Sequence, residues 1–312
     1  MSRTLHTKDR IINGIFENTA RITALSVLLI LGAIFVVLFK DALPAMEHFG
    51  SSFLFSTDYV PNREIFSGAV SITGTILTTI IAMVIAVPIA IGIAIYLTEI
   101  SPGFLKSPIG AMIELLAAIP SIVYGMWGLF YFAPVVRNDI APFLNATFGH
   151  LPLLGGFFTG DSNGIGLLTG SIILAIMVIP FMASITRDAM NTTPDILKES
   201  AYGLGGTKWE VIKDVVIPYA KVGIIGSVIL SLGRAMGETM AVTFVLGNTH
   251  NFPSTIFEPT TSIPVTLANE FNEADPGLYY SSLVYLALIL FTMSFITIAV
   301  AKFFFLKRKR YA

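Results

Sequence analysis

Two charged residues, Arg234 and Glu238, stand four positions apart in Ser231-Leu-Gly-Arg-Ala-Met-Gly-Glu-Thr-Met-Ala-Val242, a stretch otherwise apolar or small. On a helix this spacing puts both side chains on one face, and Ser227 and Ser231 extend the same stripe. A charge near the bilayer centre costs about 2.5–3.5 kcal/mol even on the lenient insertion scale, so the stripe should face a partner helix or a water-filled path. Two roles fit the pair. Either the two ions only fix helix packing, or Arg234 presents its planar fork of donors to the oxygens of a translocating anion. In the second case Glu238 orients the guanidinium and offsets its charge when the path is empty. Gly233 and Gly237 add a G-x-x-x-G spacing that lets another backbone approach. Ser71, Thr75, Thr78 and Thr79 line roughly one side of another apolar segment, where they can hydrogen-bond across helices or line the same path. Glu114, near the end of a third apolar run, can reach lipid headgroups or act as a gate or coupling contact.

Motifs for bond chemistry are missing. There is no G-x4-G-K-[ST], so the chain does not bind nucleotide in the P-loop manner. No G-x-S-x-G or H-E-x-x-H occurs, and the histidines at 6, 48, 150 and 250 are too scattered to share a metal. Gly164-Ile-Gly166 and Gly203-Leu-Gly205 read as turns. With no cysteine, disulfides, thiolate metal sites and iron–sulfur clusters are excluded. No cofactor is expected on this chain.

The elements that must position these residues are membrane helices. Hydrophobic residues make up 54% of the chain and charged residues 12%, about half the usual share for a soluble domain. Six apolar runs are long enough to span a bilayer, at about 22–39, 69–97, 109–133, 166–186, 222–246 and 281–304. Lipid offers backbone groups no partner, so each must be a helix. Prolines 88, 120 and 180 fall inside three of them and predict kinks. Lys and Arg are strongly biased in placement. Fifteen lie in the N-terminal tail, in the second and fourth connections (Lys106; Arg187, Lys198, Lys208, Lys213, Lys221) and at the C-terminal end, against Lys40, Arg63 and Arg137 on the other side. The positive-inside rule then makes both termini and the 187–221 segment cytoplasmic. The first run is longer than a signal-peptide core; Ala42 and Ala45 offer small residues for cleavage, but an uncleaved anchor is the better reading. A net charge of −1 gives no reason to invoke nucleic acid, and the terminal KRKR reads as a topology anchor. The chain divides into a tail, first span and outer loop over 1–67, a transmembrane core over 68–306 and a basic tail over 307–312. The connections at 134–165 and 247–280 read as ordered surface loops or short helices on the outer side.

The 187–221 segment carries the most specific pattern. Glu199-Ser200-Ala201, Gly205, then Val215, Ile217 and Pro218 resemble the E-A-A-x3-G-x9-I-x-L-P loop of binding-protein-dependent ABC importer permeases. Ser, Val and Ile are its departures. The resemblance implies a type I permease fold in which a short helix, a glycine turn and a second helix dock on an ATPase. Gly205 suits a positive-φ turn, and Pro218 suits a helix start. GRAMGETMAV and Glu114-Leu-Leu-Ala-Ala-Ile-Pro-Ser-Ile-Val-Tyr-Gly125 resemble segments of phosphate-specific permeases. Leu267-Ala-Asn-Glu-Phe271 and residues 194–210 are closer to the PstC type than to its paralogue. Gly206 and the 134–165 loop depart from the family. The resemblance spans about 68–306. It implies a bacterial inner-membrane heterodimer with a PstA-like permease, PstB-like ATPases carrying ATP and Mg, and an external PstS-like phosphate-binding protein. Import of another oxyanion such as sulfate or molybdate is the alternative within the class. A channel or membrane anchor is the alternative outside it, and an ATPase dock argues against that.

Overall fold

A computed structural model describes residues 2–152 and 155–306 and is built from helices, with no strand among the described residues. Five helices are long and apolar enough to cross a membrane: α1 (Ser2–Phe49), α2 (Ala69–Ile95, prolonged by a π-helical turn Tyr96–Ile100), α5 (Leu167–Asn191), α7 (Lys208–Met236) and α10 (Leu278–Leu306). The run expected at 109–133 is not one straight span. It divides into α3 (Gly103–Ala117) and α4 (Ser121–Phe148), which meet at 86°. Pro120 therefore lies at a corner, in extended backbone ahead of α4, and not at a kink within a helix. A proline disfavours helical backbone in the residue before it and cannot itself donate to the helix, so the chain breaks here. Prolines 88 and 180 do sit inside α2 and α5. Between the spans lie α6 (Asp195–Gly203), α8 (Met240–Thr243) and α9 (Ile263–Glu270). The basic run at 307–312 lies outside the described residues.

The centre is the seam between α2 and α5. Ala82, Ala86, Ala90 and Ala94 recur every fourth residue of α2 and are buried. Methyl side chains let backbones approach, which is how helices associate where lipid supplies no hydrophobic drive. Ile173, Leu174, Met177, Val178 and Met182 of α5 fill the other side. Toward its N-terminal end, α2 meets the backbone of residues 260–262. A Cβ on Gly74 would lie 1.9 Å from the Thr261 carbonyl oxygen. The 260–266 stretch, expected on the surface, is buried. Non-helical backbone survives among membrane helices only where protein meets its N–H and C=O groups, and partners are supplied here, although the Thr260 and Ser262 hydroxyls are buried without one in the chain. Ile263 N donates to Thr75 Oγ1 at 2.9 Å, Thr266 Oγ1 meets Ser71 Oγ at 3.0 Å, and Thr260 N donates to Leu246 O at 2.9 Å. Carbonyls 256 and 258 accept from the N–H groups of Leu168 and Leu167, satisfying orphan donors at the start of α5.

Four π-helical turns, Tyr96–Ile100, Gly128–Phe132, Val136–Ile140 and Ile212–Val216, each end two residues before a proline: 102, 134, 142 and 218. In an α-helix the proline ring clashes with the carbonyl four residues back and leaves it without a donor. Widening the preceding turn by one residue relieves that conflict, and three of the four helices continue. Pro218 is thus not the opening of a new helix: α7 runs through it from Lys208. On α1, the Ser281 hydroxyl inserts near Pro44, donating to Asp41 O at 2.8 Å and accepting from Ala45 N at 3.0 Å. Ala42 and Ala45 are buried, Ala42 against Val284 and Leu288 of α10.

At the end of the bundle where the 40–67 segment lies, the Glu270 carboxylate gathers three partners. Tyr59 donates to it, Tyr279 Oη lies 3.0 Å away, and His250 Nε2 lies 2.8 Å away, with the Tyr59 and His250 rings stacked. Burial raises the Glu270 pKa, but the His250 and Tyr59 contacts outweigh it and leave the carboxyl below its usual range. Burial first, then Glu270, hold the Tyr59 phenol protonated well above its ordinary value.

Two expectations follow for the full chain in detergent. Gly74→Ala should displace residues 260–262 and lower the thermal midpoint, by about 1–3 kcal/mol in stability. Gly92→Ala, whose added methyl meets nothing within 4 Å, should not; equal midpoints would mean that segment is not seated on α2. Glu270→Gln should destabilise by about 1–3 kcal/mol at neutral pH. Because the carboxyl pKa is lowered in the fold, its contribution is complete above about pH 4.3 and lost as pH falls through the folded value. The gap between parent and variant should therefore close in acid, and a constant gap would show that the charge is not what matters.

Candidate translocation and coupling site

The Arg234–Glu238 stripe is resolved differently from the i, i+4 expectation. Helix α7 ends at Met236, and Gly237 leaves helical geometry, so a shared face is not carried through to Glu238. The two side chains diverge, and no ion pair joins them among the described residues. Arg234 is exposed on the surface of this chain, its guanidinium 5.1 Å from the centre of the Phe181 ring on α5. Glu238 turns inward. Its Oε1 accepts from Ala241 N at 3.1 Å, capping α8, and it lines a cavity with Thr75, Thr78, Thr79 and Ser262. That cavity measures about 10 Å³, room for roughly one water. In this conformation it cannot admit a polyatomic anion.

Thr75, Thr78 and Glu238 are therefore brought together, and Arg234, Ser227 and Ser231 are placed elsewhere. Ser227 Oγ lies 2.7 Å from Thr186 Oγ1, and Ser231 Oγ is buried without a hydrogen-bond partner in the chain. The α2 hydroxyls are already engaged: Thr75 Oγ1 also donates to Ser71 O, and Thr78 Oγ1 donates to Gly74 O. Gly233 packs under Ile298 of α10, as a small residue permits.

At the opposite end from Glu270, α6 and the start of α7 form a projecting arm. Gly205 has φ +88°, its N–H donates to Tyr202 O at 2.9 Å, and Gly206 N donates to Ala201 O at 3.1 Å. This is a Schellman closure, which favours glycine at that position. Thr207 and Glu210 then cap α7 reciprocally. No residue of α6 is fully buried. Ile196, Leu204 and Trp209 are 69%, 91% and 62% exposed, an apolar patch around the turn, while Glu199 is also exposed and Val215 and Ile217 are half-buried.

Glu114 does not stand alone. Its Oε1 accepts from Arg187 Nη2 at 2.7 Å, joining α3 to the end of α5, and Arg187 also meets Asp188 at 2.8 Å. Gly110 makes room, since a Cβ there would come within 2.6 Å of the guanidinium. A second pair was not anticipated: Lys198 Nζ on α6 lies 2.6 Å from Glu99 Oε1 at the end of α2. Sequence spacing could not pair residues 99 positions apart. Two charges beside apolar runs were the only signal.

Comparison with known proteins gives these features a family. The model for "Binding-protein-dependent transport system inner membrane component" matches residues 86–310. The phosphate transport system permease protein PstC of Mesorhizobium japonicum is 50% identical over 295 residues, covering 95% of this chain and 90% of that protein. PstC of Haemophilus influenzae is 46% identical over 299 residues, covering 96% and 95%. Among solved structures, a bacterial ABC transporter importing alginate superposes with a TM-score of 0.59 at 13% identity, over 95% of this chain and 99% of that one. The MetNI methionine transporter in an inward-facing form gives 0.51 at 16% identity, over 74% and 93%. The fold is that of type I importer permeases. The chain belongs to the binding-protein-dependent inner-membrane transport components, among the PstC-type permeases, and is a transport subunit rather than an enzyme.

Proposed function

We propose that this protein is one half of the membrane-spanning dimer of an ATP-driven importer, and that its substrate is inorganic phosphate. The observation that carries the reading is Arg234. An arginine at the end of an apolar helix, exposed on one face and without a carboxylate partner among the described residues, is costly unless something meets it. A paralogous permease apposed to that face would enclose the guanidinium in a path between the two chains, where a tetrahedral oxyanion supplies the missing counter-charge. The naming of relatives at 46–50% identity supports phosphate over sulfate or molybdate. Glu238, with Thr75 and Thr78, would line the path once the small cavity opens.

ATP and Mg would be held by a partner ATPase seated on the apolar patch at Ile196, Leu204 and Trp209. That arm lies at the lysine- and arginine-rich end, the cytoplasmic one by charge bias. The opposite end, with the Glu270 clasp, would receive an external phosphate-binding protein. Alternating access follows: closure of the ATPases presses the arm, and the path opens outward to the loaded binding protein.

In proteoliposomes holding the complete complex, Arg234→Gln should cut phosphate uptake at least tenfold while the partners still copurify. Uptake at the parental rate would remove Arg234 from the path. Gly205→Val should distort the αL closure, which a β-branched residue resists. The ATPase should then be lost or run uncoupled; normal transport would mean that the arm does not dock as described.

A further inference from the structure

Within the arm, α6 buries little of its own surface. Of the nine residues of α6, all but Lys198 and Ala201 are exposed, and none is fully buried. Yet the Lys198 side chain is only 16% exposed and reaches Glu99, which is 7% exposed. Among the described residues, no other ion pair joins α6 to a spanning helix.

Glu99 sits on the π-helical turn that prolongs α2. The same end of α2 is gripped a second time, by Lys106 Nζ on the Thr98 carbonyl at 2.6 Å. Above the turn, Ala94 packs with Met190, Val216, Ala220 and Ile224, and the alanine stripe continues along α5. Farther up α2 stand Thr78 and Thr75, at the cavity shared with Glu238. The helix is continuous from Thr78 to Glu99, 21 residues or about 30 Å, with Pro88 and the π-helical turn on the way.

We propose that the Lys198–Glu99 pair is a strut that carries movement of α6 into α2 and so opens the Thr75–Thr78–Glu238 cavity. Both are positioning residues; neither touches the substrate. A partly buried pair suits this use, because each ion is costly without the other and the contact persists as the arm moves. The proposal rests on the importer reading above and adds to it the route from arm to path.

The test uses the complete complex in proteoliposomes, with anion taken up per ATP hydrolysed as the readout. Lys198→Met and Glu99→Gln should each lower that ratio at least fivefold while the ATPase still copurifies in parental amounts. The chain lacks cysteine, so Glu99→Cys with Lys198→Cys gives a switchable link. The ratio should be low in the free double variant, return when a short bis-thiosulfonate bridges the two thiols, and fall again on reduction. A purely packing role would not follow the bridge in this way. Parental ratios in both single variants, loss of the ATPase from them, failure of the reagent to bridge, or a bridged complex that stays uncoupled would each overturn the strut. A parent complex that imports sulfate or molybdate in place of phosphate overturns the substrate reading instead, and the same ratio, read with that anion, still judges the strut.

Discussion

Residues 260–262 lie so close to α2 that Gly74 has no room for a methyl group, and much of the end of the bundle near Glu270 depends on that contact. Irregular backbone cannot sit among membrane helices unless every polar group is met. From α2 the Thr75 hydroxyl accepts from the Ile263 N–H and Ser71 meets the Thr266 hydroxyl, and from the other side the Leu246 carbonyl accepts from the Thr260 N–H. In turn the preceding residues cap α5, whose seam with α2 is the core. Glu238, Thr78 and Ser262 share a cavity because this segment is folded inward.

Proline placement and helix widening are the second organising device. Wide turns cost hydrogen-bond geometry, and their concentration before prolines 102, 134, 142 and 218 shows what they relieve. Their effect is to turn the face of the helix beyond them. The first carries Glu99, which meets Lys198 of α6, and the last lets α7 continue from the arm into the bundle without a break. One mechanical line thus runs from the turn at Gly205 into a spanning helix.

Charge is scarce in this chain, and its use is uneven. Lys198 with Glu99 and Arg187 with Glu114 tie elements far apart in sequence, and His250 with Glu270 closes one connection on itself, all toward the ends of the bundle. Arg234 has an aromatic ring beneath it instead of a carboxylate. The partly buried Arg187, Lys198 and His250 each meet an acid, whereas Arg234 is exposed and lies over the Phe181 ring.

Much of this was legible from residue order alone. Apolar run lengths specify membrane helices, and the Glu199-to-Pro218 pattern, by its resemblance to the importer-permease loop, implies a helix–turn–helix arm, because hydropathy and turn chemistry are local properties. Gly205 takes its positive φ as a glycine after a helix end should. Tertiary structure decided the rest. Helical periodicity put Arg234 and Glu238 on one face, but α7 stops at Met236 and sends them apart. Nothing in the polar, loop-like 247–280 segment announced that part of it would be buried; its burial depends on hydroxyls nearly 200 positions away on α2. The partner of Lys198 was equally hidden. Pairings between distant residues are settled only when helices pack, since each side chain's cost in the membrane depends on what packing brings to meet it.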